Sequence, residues 1–219
     1  MGCIRMKGTV LIRISLTLAF LSFCGLQIAE EYSQGKHYEV LSSPITTRDP
    51  SKIEVVEVFW YGCNHCHALE SYINQWEKQL AKDVYFKKSP ATWNPTLMIH
   101  ARLFYTAKAL GIEEKVTPAA FTAIHRERRF LTGNSELEYF FRGFGINKER
   151  YNSVSTSFGV ENSVNQANKR MRQWSITAVP TLIVNGKYKV SANRSLGTED
   201  ILDVVNFLIK KERQLLPNS

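Results

Sequence analysis

The sequence predicts an α/β fold in which a block of helices is inserted into a sheet. Three stretches carry that prediction. "IEVVEVFWYG" (53–62) is dense in β-branched and aromatic residues, the composition of a largely buried strand. Between Pro95 and Trp174 nothing reads convincingly as a strand, and helical apolar spacings follow one another with short breaks. "PTLIVNGKYKV" (180–190) then returns to strand character as two runs joined by Asn185-Gly186, a pair that tolerates the positive φ of a hairpin turn.

The elements follow in order. "KHYEVL" (36–41) is a short strand before a polar, proline-containing loop over 42–52, and the strand from Ile53 to Gly62 comes next. In "HALESYINQWEKQLA", Leu69, Ile73, Trp76 and Leu80 form the stripe of an amphipathic helix. "VYFKKSP" is a strand ended by Pro90. The helical block comprises "TLMIHARLFYTAKAL" ending at Gly111, "TPAAFTAIHRERR" with Pro118 at a helix start, "SELEYFFRGF" capped by Ser135, "NKERYNSVSTSF" and "VENSVNQANKRMRQW". "GTEDILDVVNFLIKK" closes the chain as an amphipathic helix. The expected division is an export segment over 1–29, the first part of the sheet domain over 30–94, the helical insertion over 95–174 and the second part over 175–219.

The export segment has Arg5, Lys7 and Arg13, no acid, and the apolar run Ile14–Leu26, the order of a secretory signal. That run is short for a membrane span, which needs about 20 residues. An uncleaved N-terminal anchor is the alternative. "LSFC" ending at Cys24 resembles a lipoprotein box, with Phe23 where a small residue is usual, so lipid anchoring through Cys24 is a second expectation. Without these three basic residues the net charge falls from +8 to +5. The remaining charge is spread along the chain, which describes a solvated surface rather than a nucleic-acid site.

Of four cysteines, Cys3 and Cys24 lie in the export segment, leaving Cys63 and Cys66 for the folded body. One closely spaced pair is not a disulfide-stapled scaffold; it is there for chemistry or for a metal. "GCNHCH" admits three readings: a C-x-x-C redox pair, the C-x-x-C-H pattern of covalent haem attachment with His67, and a zinc site. Cys63 follows a strand and Cys66 falls in the first turn of a helix, so free backbone N–H groups and the positive end of the helix dipole point at the Cys63 sulfur. A thiolate there is stabilised and reactive. Cys66, one turn deeper, is placed to close a ring with Cys63. His65 can donate a hydrogen bond or a charge to the thiolate, and stabilising the reduced form makes the disulfide a stronger oxidant.

A strand ending "VEVFWYGC", C-x-H-C at a helix start, a helical insertion and a distant "VPTLIVNGKY" together resemble the DsbA family of bacterial periplasmic disulfide oxidoreductases, over nearly all of 31–211. The resemblance implies a thioredoxin fold and a cis peptide bond between Val179 and Pro180, in a loop standing against the cysteines. Pro180 would cover the pair, leaving the Val179 backbone free to pair with an extended substrate segment. It implies that Glu57, inside the apolar strand, assists proton transfer at the buried cysteine; the alternative is a structural acid paired with Lys87 or Lys88. Glu70, one turn past Cys66, is expected to be solvated; the alternative is that it tunes the site. Trp60 and Tyr61 are expected as packing that can also line a substrate groove. Where the family commonly has Pro-His between the cysteines, this chain has Asn64-His65. Asn restores an N–H and loosens the turn, so Asn64 bears on oxidising strength rather than on reaction class.

Haem attachment would consume both thiols and require a second axial ligand, and neither Met98 nor Met171 has a suggestive context. Zinc requires four ligands, and no second C-x-x-C accompanies this one. His67 thereby becomes a helix-surface residue. The expectation is a disulfide oxidase without cofactor or metal, acting as a monomer on cysteine-containing unfolded exported proteins. The resemblance implies reoxidation by a DsbB-like membrane quinone reductase. A reductase or isomerase on the same fold, or a non-enzymatic peptide-binding or chaperone module, is the alternative.

Overall fold

The computed structural model describes residues 1–2, 32–194, 196–198 and 200–215. The export segment, including Cys24, therefore lies outside the described residues apart from Met1 and Gly2.

Five strands form one sheet in the order β1 (Glu39–Val40), β5 (Tyr188–Ser191), β4 (Thr181–Val184), β2 (Ile53–Phe59), β3 (Val84–Pro90). β2 and β3 are parallel and joined through helix α1 (Asn64–Glu77); every other pairing is antiparallel. The central strand β2 is buried along its whole length, which is why its sequence runs apolar instead of alternating. Its side chains still alternate between faces. Ile53 and Val55 join Leu69, Ile73 and Trp76 of α1 and the apolar stripe of α7 (Ile201–Arg213). Val56 and Val58 face the opposite way, onto Leu97, Met171, Trp174 and Ile183.

Between β3 and β4 the chain forms α2 (Pro95–Ala109), α3 (Glu113–His125), α4 (Asn134–Arg142), α5 (Lys148–Ser155) and α6 (Phe158–Gln173). Three of these helices start on side-chain caps. Asn94 accepts from the Leu97 N–H at 3.0 Å, Asn147 from Arg150 at 2.8 Å and Ser157 from Val160 at 3.4 Å; each such cap contributes about 1 kcal/mol. The fold is the thioredoxin-like sheet with an inserted all-helical domain.

Two expected helix starts move. Pro118 does not open α3 but lies inside it. The helix begins earlier because Glu113 and Glu114 place negative charge in the first turn. The N–H that Pro118 lacks would have bonded to the Glu114 carbonyl, and both residues lie on the exposed side of the helix, where the loss of that bond is cheapest. Ser135 is not the cap of α4: Gly133 occupies that position in extended geometry, without a side-chain cap. The Thr132 N–H instead reaches the Glu136 carboxylate at 3.2 Å. Helix α1 also stops at Glu77, three residues short of Leu80, which packs on the core from the turn beyond.

The hairpin forms at Asn185-Gly186, with φ of 51° and 63°. Glycine is required at its second position for a further reason. A Cβ on Gly186 would lie 2.0 Å from the Ile45 carbonyl oxygen, which receives no room to move from the 3.0 Å bond between the Ile45 N–H and the Gly186 carbonyl.

Candidate active site

Cys63 is the residue that caps α1. Its φ and ψ of −87° and 119° hold it outside the helix, and its sulfur accepts from the Cys66 N–H at 3.4 Å. The Cys63 N–H is itself tied to the Trp60 carbonyl at 3.0 Å, closing the turn that joins β2 to α1. Asn64 stands exposed at the first helical position. That position also accepts proline, because the N–H there has no partner within the helix.

The two thiols differ sharply. Cys63 is partly exposed and Cys66 is fully buried. The hydrogen bond from the Cys66 thiol, then the backbone N–H groups of Cys66 and His65, pull the Cys63 thiol down to about 6 against the cost of desolvation. The His65 ring is exposed, and its charge is the smallest of the named contributions. The helix start therefore does more for this thiolate than the histidine does. Burial pushes Cys66 the other way, far above the ordinary thiol range, and the Cys63 sulfur and the Glu57 charge add to it.

The Val179–Pro180 peptide is cis, Pro180 is buried, and Val179 is partly exposed. The Cys63 thiol donates to the Val179 carbonyl at 3.4 Å. This contact, made by two residues 116 positions apart, brings the two motifs into one site.

Glu57 lies beneath the cysteines, fully buried on β2. Parallel pairing places it opposite Lys88, whose ammonium bonds Glu57 at 2.6 Å and Glu70 of α1 at 2.8 Å. Lys87 points to the other face and pairs with Glu54. One buried ammonium thus faces two carboxylates. It is held charged, its pKa raised by Glu57 and Glu70 over the opposing effect of desolvation. Desolvation raises Glu57, the more deeply buried acid, despite its pairing with Lys88, and the nearby Glu70 charge adds to the rise. Its second oxygen, Oε1, has no hydrogen-bond partner among the described residues. Glu70 is buried and paired, not solvated as its place on the helix implied, because α1 packs against the sheet at Lys88.

The insertion grips the turn before Cys63. Tyr61 is fully buried, its hydroxyl 3.2 Å from that of Thr117 on α3, its ring against Phe59 and Phe121. It has no surface to offer a substrate, so its expected place in a substrate groove is corrected: the core between sheet and insertion takes the ring. His125 at the end of α3 contacts the Tyr61 carbonyl at 2.7 Å. His67 is no free surface residue either. Its ring stacks on His125 at 4.5 Å and on Phe121 at 5.5 Å. Burial, His125 and Arg126 hold it below the ordinary imidazole value. Trp60 is partly exposed. Sequence reasoning missed Thr117 and His125, and placed Glu70 in solvent, because each acts through contacts distant in the chain. Among the described residues no group of three or more His, Cys, Asp or Glu side chains is arranged to hold a metal.

The family model for the DSBA-like thioredoxin domain matches residues 73–203. The thiol:disulfide interchange protein DsbA of Pseudomonas aeruginosa is 39% identical over 201 residues, covering 91% of this chain and 95% of that protein. The protein of the same name from Burkholderia cepacia is 39% identical over 183 residues, covering 82% and 85%. Among solved structures, Pseudomonas aeruginosa DsbA superimposes with a TM-score of 0.81 at 40% identity, over 85% of this chain and 97% of that one. DsbA from Xylella fastidiosa gives 0.78 at 29% identity, over 84% and 98%. The family model begins beyond the cysteines, and the full-length relatives extend the match across them.

Proposed function

Because this chain belongs to the DsbA family of thiol:disulfide oxidoreductases, we propose that Cys63 and Cys66 are its reacting pair and that it oxidises exported proteins. The observation that carries this reading is the asymmetry of the pair: an accessible thiol pulled down to about 6 beside a buried one pushed far up.

A substrate thiolate attacks the Cys63 sulfur of the Cys63–Cys66 disulfide. The S–S bond breaks, the substrate is joined to Cys63, and the electron pair leaves on Cys66. A thiolate at that depth is costly, so it takes a proton, which Glu57 carries to it through its unpartnered oxygen. A second substrate thiolate then attacks the substrate sulfur of the mixed disulfide, and Cys63 leaves as its stabilised thiolate. The substrate has lost two electrons and gained a disulfide; the protein holds both electrons. Pro180 covers the pair, and the Val179 backbone pairs with the extended substrate beside Cys63. Reoxidation falls to a DsbB-like membrane quinone reductase. The basic, then apolar, N-terminal segment supports export to the periplasm, with Cys24 the candidate lipid anchor. No helix among the described residues is long and apolar enough to cross a membrane.

Equilibration of the purified protein against glutathione buffers tests the direction of flow. A stabilised Cys63 thiolate favours the reduced protein, so the pair is expected to poise well above the potential of glutathione. A potential near the about −270 mV of thioredoxin overturns the oxidase reading.

The same thiolate makes stability depend on pH. Folding lowers Cys63 from 9.0 to about 6. A depressed pKa contributes stability that is complete above the unfolded value and is lost as pH falls through about 6. The oxidised protein has no thiolate and lacks this contribution. The stability of the reduced protein relative to the oxidised one is therefore expected to rise between pH 5 and pH 8, where Cys66 stays protonated in both folded and unfolded chains. Denaturant unfolding of both forms across that range checks it; a difference flat in pH contradicts the lowered thiol.

A further inference from the structure

Trp60 is held in place by a histidine that belongs to the insertion. His100 of α2 is 3% exposed. Its Nδ1 accepts from the Trp60 indole N–H at 2.9 Å, and its Nε2 meets the Phe130 carbonyl at 2.9 Å. Indole nitrogen only donates, so Nδ1 is unprotonated and Nε2 carries the hydrogen that goes to Phe130. Both ring nitrogens are satisfied by the neutral imidazole, and burial favours that form. The ring also lies nearly parallel to Trp60, at 29° and 6.2 Å. Phe130 itself is 67% exposed, yet its carbonyl faces inward. Arg128 and Leu131 on either side of it adopt left-handed backbone, with φ of 57° and 53°. Such conformations are costly for these residues and persist only where the surroundings impose them.

The consequence lies beside Cys63. The Trp60 ring covers Gly62 so closely that a Cβ there would sit 2.3 Å from it. Trp60 and Val179 pack on the same apolar cluster of Val58, Leu97, Trp174 and Ile183. One backbone bond ties Trp60 to Cys63, and the Cys63 thiol is bonded to Val179. An extended segment paired with Val179 would therefore run close to Trp60, which is partly exposed and held from two sides.

We propose that His100 is a positioning residue for substrate choice: it locks Trp60 into a fixed apolar rim that receives an apolar side chain next to the substrate's reacting cysteine. This rests on the reading of Cys63 as the exchanging thiol. The preferred substrates are unfolded segments with a large aliphatic or aromatic residue beside cysteine, the kind that folding later buries.

Three variants separate the two hydrogen bonds. H100L removes both, H100N retains an acceptor near the Nδ1 position, and H100Q retains a donor near the Nε2 position. The probes are two synthetic dithiol peptides, one with leucine and one with glycine flanking the cysteine, oxidised by the disulfide form of the protein. H100L and H100Q are expected to raise KM for the leucine peptide about tenfold, the scale of one apolar contact. The kcat and the glycine peptide should be unchanged, and H100N should stay near wild type. The Trp60 indole N–H, followed by NMR, should be protected from solvent exchange in wild type and H100N only. Equal losses on both peptides, H100N as impaired as H100L, or slowed exchange with dithiothreitol overturns the proposal. Failure of the wild-type protein to oxidise either peptide would instead sink the thiol-exchange reading beneath it.

Discussion

Cys66→Ser is expected to stop exchange after its first half, whereas Cys63→Ser is expected to prevent it from starting. In Cys66→Ser the Cys63 thiolate still attacks a substrate disulfide and still forms a mixed disulfide. The thiol that would break that bond from within is gone, so the adduct accumulates and mass measurement detects it. In Cys63→Ser the remaining thiol is fully buried and pushed far above the ordinary range. Its adduct should form slower by on the order of 1,000-fold or more, since the thiolate is the nucleophile and a buried thiol supplies almost none. Thiolate fraction alone does not make this gap. Lowering Cys63 from 9.0 to about 6 raises its ionised fraction near neutral pH by about 100-fold. A lower pKa also weakens each thiolate as a nucleophile, and with a Brønsted slope of about 0.4–0.5 most of that gain is lost. What the low pKa improves is departure: Cys63 leaves readily when the second substrate thiolate arrives. Access, set by the depth of Cys66, decides which sulfur is attacked. Equal adduct formation by both variants would refute this ordering.

Lys88→Met is expected to be the most destabilising single change near the site. Lys88 is the ammonium common to Glu57 and Glu70, and both carboxylates are buried. Removing it leaves like charges facing each other without a counter-ion, a loss of about 3–5 kcal/mol in comparable buried pairs. The loss should itself depend on pH. An acid whose folded pKa is raised above its unfolded value destabilises the fold increasingly as pH rises past the unfolded value. Glu57 is already in that position, and the variant removes the ammonium that opposes the rise, so urea unfolding should show the largest deficit near pH 8 and a smaller one near pH 5. Glu57→Gln, which removes the surplus charge and keeps the shape, should cost less than Lys88→Met. If Lys88→Met were neutral at pH 8, the buried triad would have no bearing on stability. The triad also touches function, because Glu57 raises the Cys66 thiol. The same variants should slow turnover if Glu57 carries the proton.

Much of this molecule was legible because the relevant forces act over a few residues. Strand, turn, C-x-x-C and helix start are contiguous, so the capping geometry at Cys63 follows from local rules. The Asn185-Gly186 turn and the closing amphipathic helix are local in the same way. The starts of α3 and α4 were misplaced because a proline at a helix start gives up an N–H that has no helical partner, whereas Pro118, several residues in, leaves a carbonyl without one, and that cost is tolerated where the helix face is exposed. A glycine cap leaves still less trace. Glu70 was misread because helical position alone does not say which face meets the sheet, and Tyr61 because a strand-end aromatic can turn inward or outward.

The chain by itself pointed to the proposed reacting pair and, with the resemblance, to the class of chemistry: two thiols on one helical turn, the first at its N-terminus, sit where backbone donors stabilise a thiolate. Tertiary structure alone decided how unequal those thiols are and what surrounds them. It chose Lys88 over Lys87 as the partner of Glu57 through strand register, buried Tyr61, and set His100 against Trp60 from a helix 40 residues away. The reason is desolvation. A charge or a hydrogen bond has its weight set by the water that packing removes, and that water is excluded by segments the local sequence does not contain.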